Sequence, residues 1–530
     1  MIKKLAILVL LILLLVGCSK KDIYQAMREA NYQNDVYYQI FVRSFADSDG
    51  DGTGDFRGII DKLDYLEKLG ITALWLMPIH PSPTYHGYDV IDYYDVNPDY
   101  GTLDDFRNLV AAAREKGIKI MLDMVLNHSS SQHPWFLAAL DGEEKYLDYY
   151  NFTDSLDGRP LTGSWGQNIW HHCQNKYYCG YFSDTMPDFN LLNEDLIEEI
   201  YNICRFWIDI GVGGFRLDAA NHFFGLNEYS HKKYDYFDNI RFTKELRKEI
   251  KKYDSDFYLV GEIVEAAETI IRDYYFGLDA PLDYPVANRL RTAAAKNGDL
   301  YYVKNIMRIY DAYSEIKADF ISAPFLTNHD LDRMASVLGA NTDKMKLAAE
   351  MHLVLPGSPI IYYGEELGMF GTKANGELAD GIAVWDETRR LPLPFGDNYE
   401  TTWFNNNNFS DVRLNAELAP VSMQIDDPDS LWNTYSSLIA VRKANPALCY
   451  GNRLSEYEDN SYGVQGFYRS YRFQNYYQKV LVIHNLSADE VALSVPGKVI
   501  YLSGTSDYNN VASLPAKSTV IIDVTGVSDD

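Results

Sequence analysis

Eight short apolar runs, most of them separated by stretches of helical periodicity, restrict this chain more than any other feature of its sequence. They are VYYQIFVRSF, TALWLMPIH, KIMLDMVLNH, GFRLDAANH, FYLVGEIV, FGLDAPLDYPV, FLTNHD and SPIIYYGEE. After the first run, GIIDKLDYLEKLG places Ile59, Leu63, Leu66 and Leu69 on one helical face and stops at Gly70, as a helix packed on a sheet should. DDFRNLVAAAREKG repeats the form. Alternating strand and helix predicts a parallel sheet, and eight such units favour an α/β fold closed as a (β/α)8 TIM barrel over an open doubly wound sheet. No glycine-rich phosphate cradle accompanies the runs, which also speaks against the open sheet.

Two segments break the pattern. Residues 129–186, between the third and fourth runs, are rich in Trp, Tyr, Gly and Asn and lack a clear helical period, so they read as an inserted domain after strand 3. From about residue 447 the chain turns to short alternating strands such as KVLVIHNL and STVIIDV, the pattern of a C-terminal antiparallel β-sandwich spanning 447–530. The barrel would then occupy 35–128 and 187–446, with a linker over 18–34.

The first 17 residues carry Lys3 and Lys4 ahead of an apolar run from Leu5 to Val16, too short for a membrane span and of the form of a secretion signal. The ending LVGC resembles the lipobox of bacterial lipoproteins, which implies an exported, membrane-anchored protein with a lipid on Cys18. Cys173 and Cys179 are close enough in sequence to pair in an oxidising compartment, whereas Cys204 and Cys449 read as core residues. His171 and His172 lie beside the first pair, but their spacing matches no ordinary zinc motif. A composition 47% hydrophobic and 14% aromatic is globular, and a formal charge of -27 disfavours nucleic acid or an anionic membrane surface as partner.

In a barrel, residues at the C-terminal ends of the strands point into one site, so the tails of the runs are read together. They supply Asn127 and His128, Arg216 and Asp218, Glu262, and His329 and Asp330. Three carboxylates, two histidines and an arginine at one end of one barrel suit chemistry on a polar, uncharged substrate. The first run leads into ADSDGDGTGDFRG, where Asp47, Asp49, Asp51, Thr53 and Asp55 occupy alternating positions. This is not an EF-hand: Gly58 stands where a bidentate Glu is required, and the preceding segment is strand-like. By pattern alone it is a cation loop or an Asp/Gly turn.

DMVLNH, GFRLDAANH, GEIV and FLTNHD resemble the four signature regions of the α-amylase family, glycoside hydrolase family 13; MPDFN, HGYDVIDYYDV and PGSPIIYYGEELGM match further family segments. The resemblance runs over most of residues 35–530 and implies the same barrel, inserted domain B and C-terminal sandwich. By that resemblance Asp218 is the nucleophile, Glu262 the general acid/base and Asp330 the transition-state stabiliser. His128, His329, Arg216 and Arg333 belong to the substrate site, with Tyr88 as its stacking platform. Arg216, two residues before Asp218, should keep that carboxylate ionised, and negative neighbours should raise Glu262. In several branches a comparable Asp-rich loop holds calcium or magnesium, so Ca2+ on Asp47, Asp49, Asp51, Thr53 and Asp55 is implied. A second ion at Asn127 and Asp188 stays open.

Two departures qualify the likeness. Asn221 precedes His222 where many α-amylases carry Lys, and Tyr85–His86 precedes GYD where exo-acting α-glucosidases carry an Asp that caps the end of the sugar chain. The expected function is a monomeric, endo-acting, retaining α-amylase on α-1,4-glucans. A cyclodextrin-degrading, glucanotransferase or α-glucosidase relative is the alternative within the family, and a non-catalytic glucan-binding protein the alternative outside catalysis.

Overall fold

The protein is described by a computed structural model over residues 26–27, 34–224, 236–379, 382–505 and 512–527. The expected signal segment and Cys18 lie outside these residues. Among the described residues no helix is long and apolar enough to cross a membrane.

Seven parallel strands form one curved sheet: β1 (Tyr37–Ile40), β2 (Ala73–Leu76), β3 (Lys119–Met124), β4 (Gly214–Leu217), β5 (Tyr258–Gly261), β6 (Ala280–Pro281) and β7 (Ile360–Tyr362), in the order β7-β1-β2-β3-β4-β5-β6. The open seam is closed by residues 323–325. Ala323 bridges Leu282 beside β6 and Phe325 bridges Ile360 of β7, both in parallel, so the run ending in FLTNHD supplies the eighth position as single bridges rather than a full strand. Every residue of β1, β2, β4 and β5 is buried, as expected of strands covered by helices outside and by barrel side chains inside.

Local signals set the helices. Thr102 and Asp105 form a reciprocal capping box at the start of Leu103–Glu115, and Asn193 caps Glu194–Ile210. The helix expected after β1 is two pieces, Phe56–Asp61 and Leu63–Leu69, because the backbone leaves helical geometry at Lys62. Ile59, Leu63, Leu66 and Leu69 still face the core and are all at most 1% exposed. Gly70 ends the second piece at φ +99°, where a Cβ would come within 2.7 Å of Ile439.

Between β3 and β4 the chain adds the helices Pro134–Leu140 and Glu144–Leu147, which the composition of the insertion did not announce, and a three-stranded antiparallel sheet of Phe152–Thr153, Lys176–Cys179 and Trp170–Cys173. Its own small core is Ile169, Trp170, Cys179 and Tyr181. The hairpin register places Cys173 opposite Lys176 and Cys179 opposite Trp170, so the two cysteines are not paired and no bridge joins them. Cys179 Sγ instead donates to Asp188 Oδ2 at 3.1 Å. His171 is engaged by the carbonyl of Gly180, not by a metal cluster.

The C-terminal unit is a five-stranded antiparallel sheet with a two-stranded partner, and helix Pro446–Cys449 runs across the expected start at 447. In its strand Tyr476–Asn485, Leu481 and Ile483 face the outer core while Val480 and Val482 face the barrel's core. Buried Arg469 and Glu350 fasten it, next to Arg442, which braces the barrel segment they hold. Arg442 donates to the carbonyls of Leu353, Leu355 and Gly357, Arg469 to those of Val354 and Gly451, and Glu350 accepts from Tyr501 (2.9 Å) and Ser503 (2.6 Å). Burial pushes the Glu350 carboxyl up to about 7 against the pull of those hydroxyls. A raised folded-state pKa gives stability that is whole below about 4.5 and is lost as pH climbs through 7. Glu350→Gln removes this linkage, on the order of 3 kcal/mol at full extent. The melting temperature of the variant relative to wild type should therefore rise between pH 5 and pH 8 in calorimetry; a pH-independent gap would show Glu350 to be ionised throughout.

Candidate active site

Arg216, the third residue of β4, is fully buried and gathers three carboxylates from three neighbouring strand ends. Its Nη1 lies 2.7 Å from Asp123 Oδ1 and 2.7 Å from Asp218 Oδ1, and its Nη2 lies 2.8 Å from Glu262 Oε1. The first two contacts are hydrogen bonds; the third is an ion-pair contact with the carboxylate off the N–H axis. The face of the guanidinium rests 5.2 Å from the Trp75 ring. One cation among three buried carboxyls cannot keep all three ionised cheaply. Burial pushes Asp123 up to about 6 and Asp218 and Glu262 up to about 7, with Arg216 opposing in each case. The expectation for Glu262 is corrected in its cause: loss of water is the larger effect, and the charges of Asp218 and Asp330 add to it.

The hydrogen bonds separate the two central carboxyls. Asp218 receives the guanidinium directly, which favours its charge. Glu262 has the guanidinium only as an ion-pair contact at 2.8 Å, and its hydrogen bonds come from neutral donors, the Ala219 N–H at 3.1 Å and the Tyr284 hydroxyl at 3.3 Å, which makes it the better holder of the proton. Ala219 takes a left-handed φ of +46°, uncommon for a residue with a Cβ, at the point where its N–H meets Glu262.

Opposite them, Asp330 is half exposed, with Oδ1 3.1 Å from Arg390 Nη2 and Oδ2 3.1 Å from His329 Nε2. His329 is buried and neutral, its basicity reduced first by burial and then by Arg390 and Arg216. Gln39 holds its Nδ1 at 2.8 Å, Tyr88 Oη stands 2.5 Å from its Nε2, and the Tyr88 and His329 rings lie parallel at 5.6 Å. Tyr88 in turn donates to Asp123 at 3.1 Å, and His128 Nε2 donates to the Tyr88 carbonyl at 3.1 Å. Burial lowers His128 to about 4, leaving it neutral too. The structure thus brings Asp218, Glu262, Asp330, Tyr88, His128, Arg216 and His329 to one end of the barrel.

Arg333 is not among them. It is fully buried, donates to the carbonyls of Arg389 (2.9 Å) and Tyr363 (2.6 Å), and lies over the rings of Tyr362 and Tyr363. Its role is to support the segment that carries Arg390, not to meet a substrate. Asp123 and Arg390 are the residues that sequence reasoning missed. Asp123 could have been found as the one acid inside the apolar run KIMLDMV; Arg390 arrives 60 positions after its partner with no local pattern to mark it. At the position of the missing end-capping Asp, the Tyr85 ring stacks on Trp403 at 5.6 Å and under Arg390, and His86 accepts the Tyr88 N–H. Asn221 sets its amide 3.3 Å from His222 Nε2, and the His222 ring lies 4.6 Å from Tyr181.

In the loop after β1, carboxylate oxygens of Asp47, Asp49 and Asp55 converge within 4.8 Å of one another, the one such acidic, Cys or His group among the described residues. Asp47 is fixed by the N–H groups of Asp49, Gly50 and Gly52, and Asp55 by those of Ser48 and Gly58. Three hard oxygen donors drawn together without a compensating base suit a calcium-like cation. Of the four carboxylates expected from sequence, Asp51 lies outside this converging group, and its carboxylate accepts the Thr53 N–H at 2.7 Å. At the other suggested site, Asp188 is already engaged by donors from Asn127, Tyr181 and Cys179.

The catalytic-domain model of the α-amylase family matches residues 39–451. Alpha-amylase 3 of Dictyoglomus thermophilum is 37% identical over 503 residues, covering 93% of this chain and 94% of that protein. A 4-alpha-glucanotransferase of Thermotoga maritima is 32% identical over 86% of this chain and 96% of its own length. The crystal structure of an alpha-amylase from H. orenii superposes with a TM-score of 0.81 at 35% identity, over 92% of this chain and 99% of that one. With the family match extending across the barrel and the buried carboxylates gathered at its C-terminal end, the chain belongs to the α-amylase family and is a glycoside hydrolase.

Proposed function

We propose that the protein is a retaining, endo-acting α-amylase that cleaves α-1,4-glucosidic bonds of starch, glycogen and maltooligosaccharides. The observation that carries this reading is the shared guanidinium of Arg216, which holds Asp218 and Glu262 side by side on one small polar surface, the pair that a nucleophile and a general acid require. Glu262 gives its proton to the glycosidic oxygen as the Asp218 carboxylate attacks the anomeric carbon, so the leaving chain departs as a neutral alcohol and a glycosyl ester forms on Asp218. Glu262, now a carboxylate, takes a proton from water, whose oxygen displaces Asp218 and restores the α-configuration. Asp330, tied between Arg390 and His329, faces the positive charge that grows on the sugar ring. Tyr88, His128 and His329 frame that sugar.

Internal cleavage is favoured by Tyr85, which packs against Trp403 and presents no carboxylate to stop a longer chain. The alternative is glucan transfer, supported by the similarity to the Thermotoga enzyme. Products from amylose and maltotriose, resolved by size and anomeric form, separate the two. Hydrolysis predicts falling viscosity ahead of reducing ends and α-anomers at first release; transfer predicts longer oligosaccharides from maltotriose, and glucose as sole early product would remove the endo reading.

Glu262→Gln keeps the shape of the side chain without its proton, and general acid catalysis contributes about 10² to 10⁴ in rate. Turnover should fall by at least a hundredfold while maltoheptaose binding persists; a variant retaining a tenth of wild-type turnover would take Glu262 out of the mechanism.

The loop reading is calcium on Asp47, Asp49 and Asp55, where its charge neutralises three carboxylates and its role is structural. Export and anchoring through lipidated Cys18, the domain limits given from the sequence, and action as a monomer complete the proposal. A cation at about 100 times its dissociation constant adds roughly 2.7 kcal/mol of stability. Chelation should lower the melting temperature of wild type. Asp49→Asn should abolish that response and Asp51→Asn should leave it, because only Asp49 belongs to the converging group. Equal behaviour of both variants and wild type would make the loop a plain turn.

A further inference from the structure

The inserted domain springs from the end of β3, just past His128, and returns just before the helix that leads to β4, so it stands over the side of the site where His128 and His222 lie. Its most exposed tryptophan, Trp165, is 67% exposed. A lone exposed apolar residue needs no explanation. Trp165 is different because of what it touches. Its ring centroid lies 5.8 Å from that of Phe182 and 5.7 Å from that of Tyr181. Phe182 is itself 5.3 Å from the His128 ring and 5.6 Å from His222, and Tyr181 is 4.6 Å from His222. A chain of packed rings therefore runs from His128 and His222, through the buried Tyr181 and the part-exposed Phe182, to an open indole in two ring steps.

The turn that carries the ring is also held in place. Trp165 sits at the tip of a tight turn closed by the Thr162–Asn168 bridge and by the Gly163 N–H on the Gln167 carbonyl, with Gly166 at φ +78°. Gln167 ties this turn to the aromatic surface. Its Oε1 accepts the Trp165 N–H at 3.0 Å and its Nε2 donates to the Tyr181 carbonyl at 3.0 Å. Ser164 adds a hydroxyl contact of 2.9 Å to Tyr181. Gly163 leaves room for the Gln167 amide, since a Cβ there would fall 2.3 Å from Gln167 Nε2 and displace it. An apolar ring left two-thirds in water, packed on Tyr181 and Phe182 and carried by a turn whose backbone is hydrogen-bonded, is a preorganised platform, the arrangement that spares a binding site the cost of ordering it.

We infer that Trp165 is a specificity-determining platform on which a distal sugar of an α-glucan chain stacks, so that the enzyme favours long chains over short ones. The occupant is the substrate itself because the packed rings lead from the site to the open indole, and the flat, apolar face of a sugar ring matches an indole face. The inference rests on the amylase reading and deepens it.

The test is the ratio of kcat/KM on maltoheptaose to that on maltotriose. Trp165→Ala should lower that ratio about tenfold, the scale of one lost aromatic contact, chiefly through KM on the longer substrate. Trp165→Phe should restore most of it, and Gln167→Ala, which frees the turn but keeps the ring, should give an intermediate ratio. A ratio equal to wild type in Trp165→Ala, or equal losses on both substrates, would overturn the inference. Maltoheptaose binding to Glu262→Gln with and without Trp165→Ala, followed by tryptophan fluorescence, reads the platform without turnover. Wild-type enzyme cleaving neither oligosaccharide would sink the amylase reading, and the loss or persistence of the binding difference would then decide the role of Trp165 alone.

Discussion

The charge balance around Arg216 is the constraint on which the rest of the site depends. A guanidinium taken wholly out of water must be surrounded by acceptors, and here three carboxylates from β3, β4 and β5 provide them. That arrangement fixes the ends of three adjacent strands relative to one another within hydrogen-bond tolerances. It also leaves a surplus of negative charge, which the site answers in two ways: by retaining a proton among the buried carboxyls and by placing a second cation, Arg390, on Asp330. Proton retention is what a general acid needs at neutral pH. The same shortage of positive charge that raises these carboxyls therefore equips the site.

The barrel was legible because its signal is repeated: eight apolar runs report one architecture, and an error in one of them is corrected by the others. The seventh, FLTNHD, forms only single bridges, yet its position in the series was right because neighbours on both sides demand it. Polar residues at strand tails were legible for a related reason, since the fold sends all of those tails to one place. What escaped was whatever depends on a long loop's final path. Arg390 reaches Asp330 from a connection after β7 that carries no periodicity. Cys173 and Cys179 are near enough in sequence to leave a pairing open, and the hairpin register, which places each opposite another residue, is invisible until the turn is known. Asp51 read as a ligand by alternation, but a loop of glycines lets each carboxylate choose its own N–H, and that of Asp51 chose Thr53.

The inserted domain and the C-terminal sheet attach to the barrel by different physics. The insertion holds few apolar residues in its own core and meets the site through aromatic rings, so its inner face can shape a cleft without burying it. The C-terminal sheet shares the barrel's core through Val480, Val482 and Ile521, and its partner strands close a second layer over Leu481 and Ile483. The first attachment leaves surface for a polymer; the second removes surface from water.

The buried arginines make the distinction between a functional and a structural cation explicit. Arg442 and Arg469 sit at the base of the C-terminal sheet and donate to backbone carbonyls of Leu353, Val354, Leu355, Gly357 and Gly451. Arg333 does the same beneath the site, with the carbonyls of Tyr363 and Arg389. Carbonyls satisfy the geometry of a guanidinium but do not titrate, so such a cation pins the main chain and leaves no proton in play. Arg216 makes the opposite choice: its partners are all carboxyls, each of which can exchange charge for a proton. This is why Arg333, adjacent in sequence to the site residues and of the same type as Arg216, stands outside the chemistry. The identity of the acceptor, not that of the arginine, decides whether a buried cation holds a fold or sets a proton.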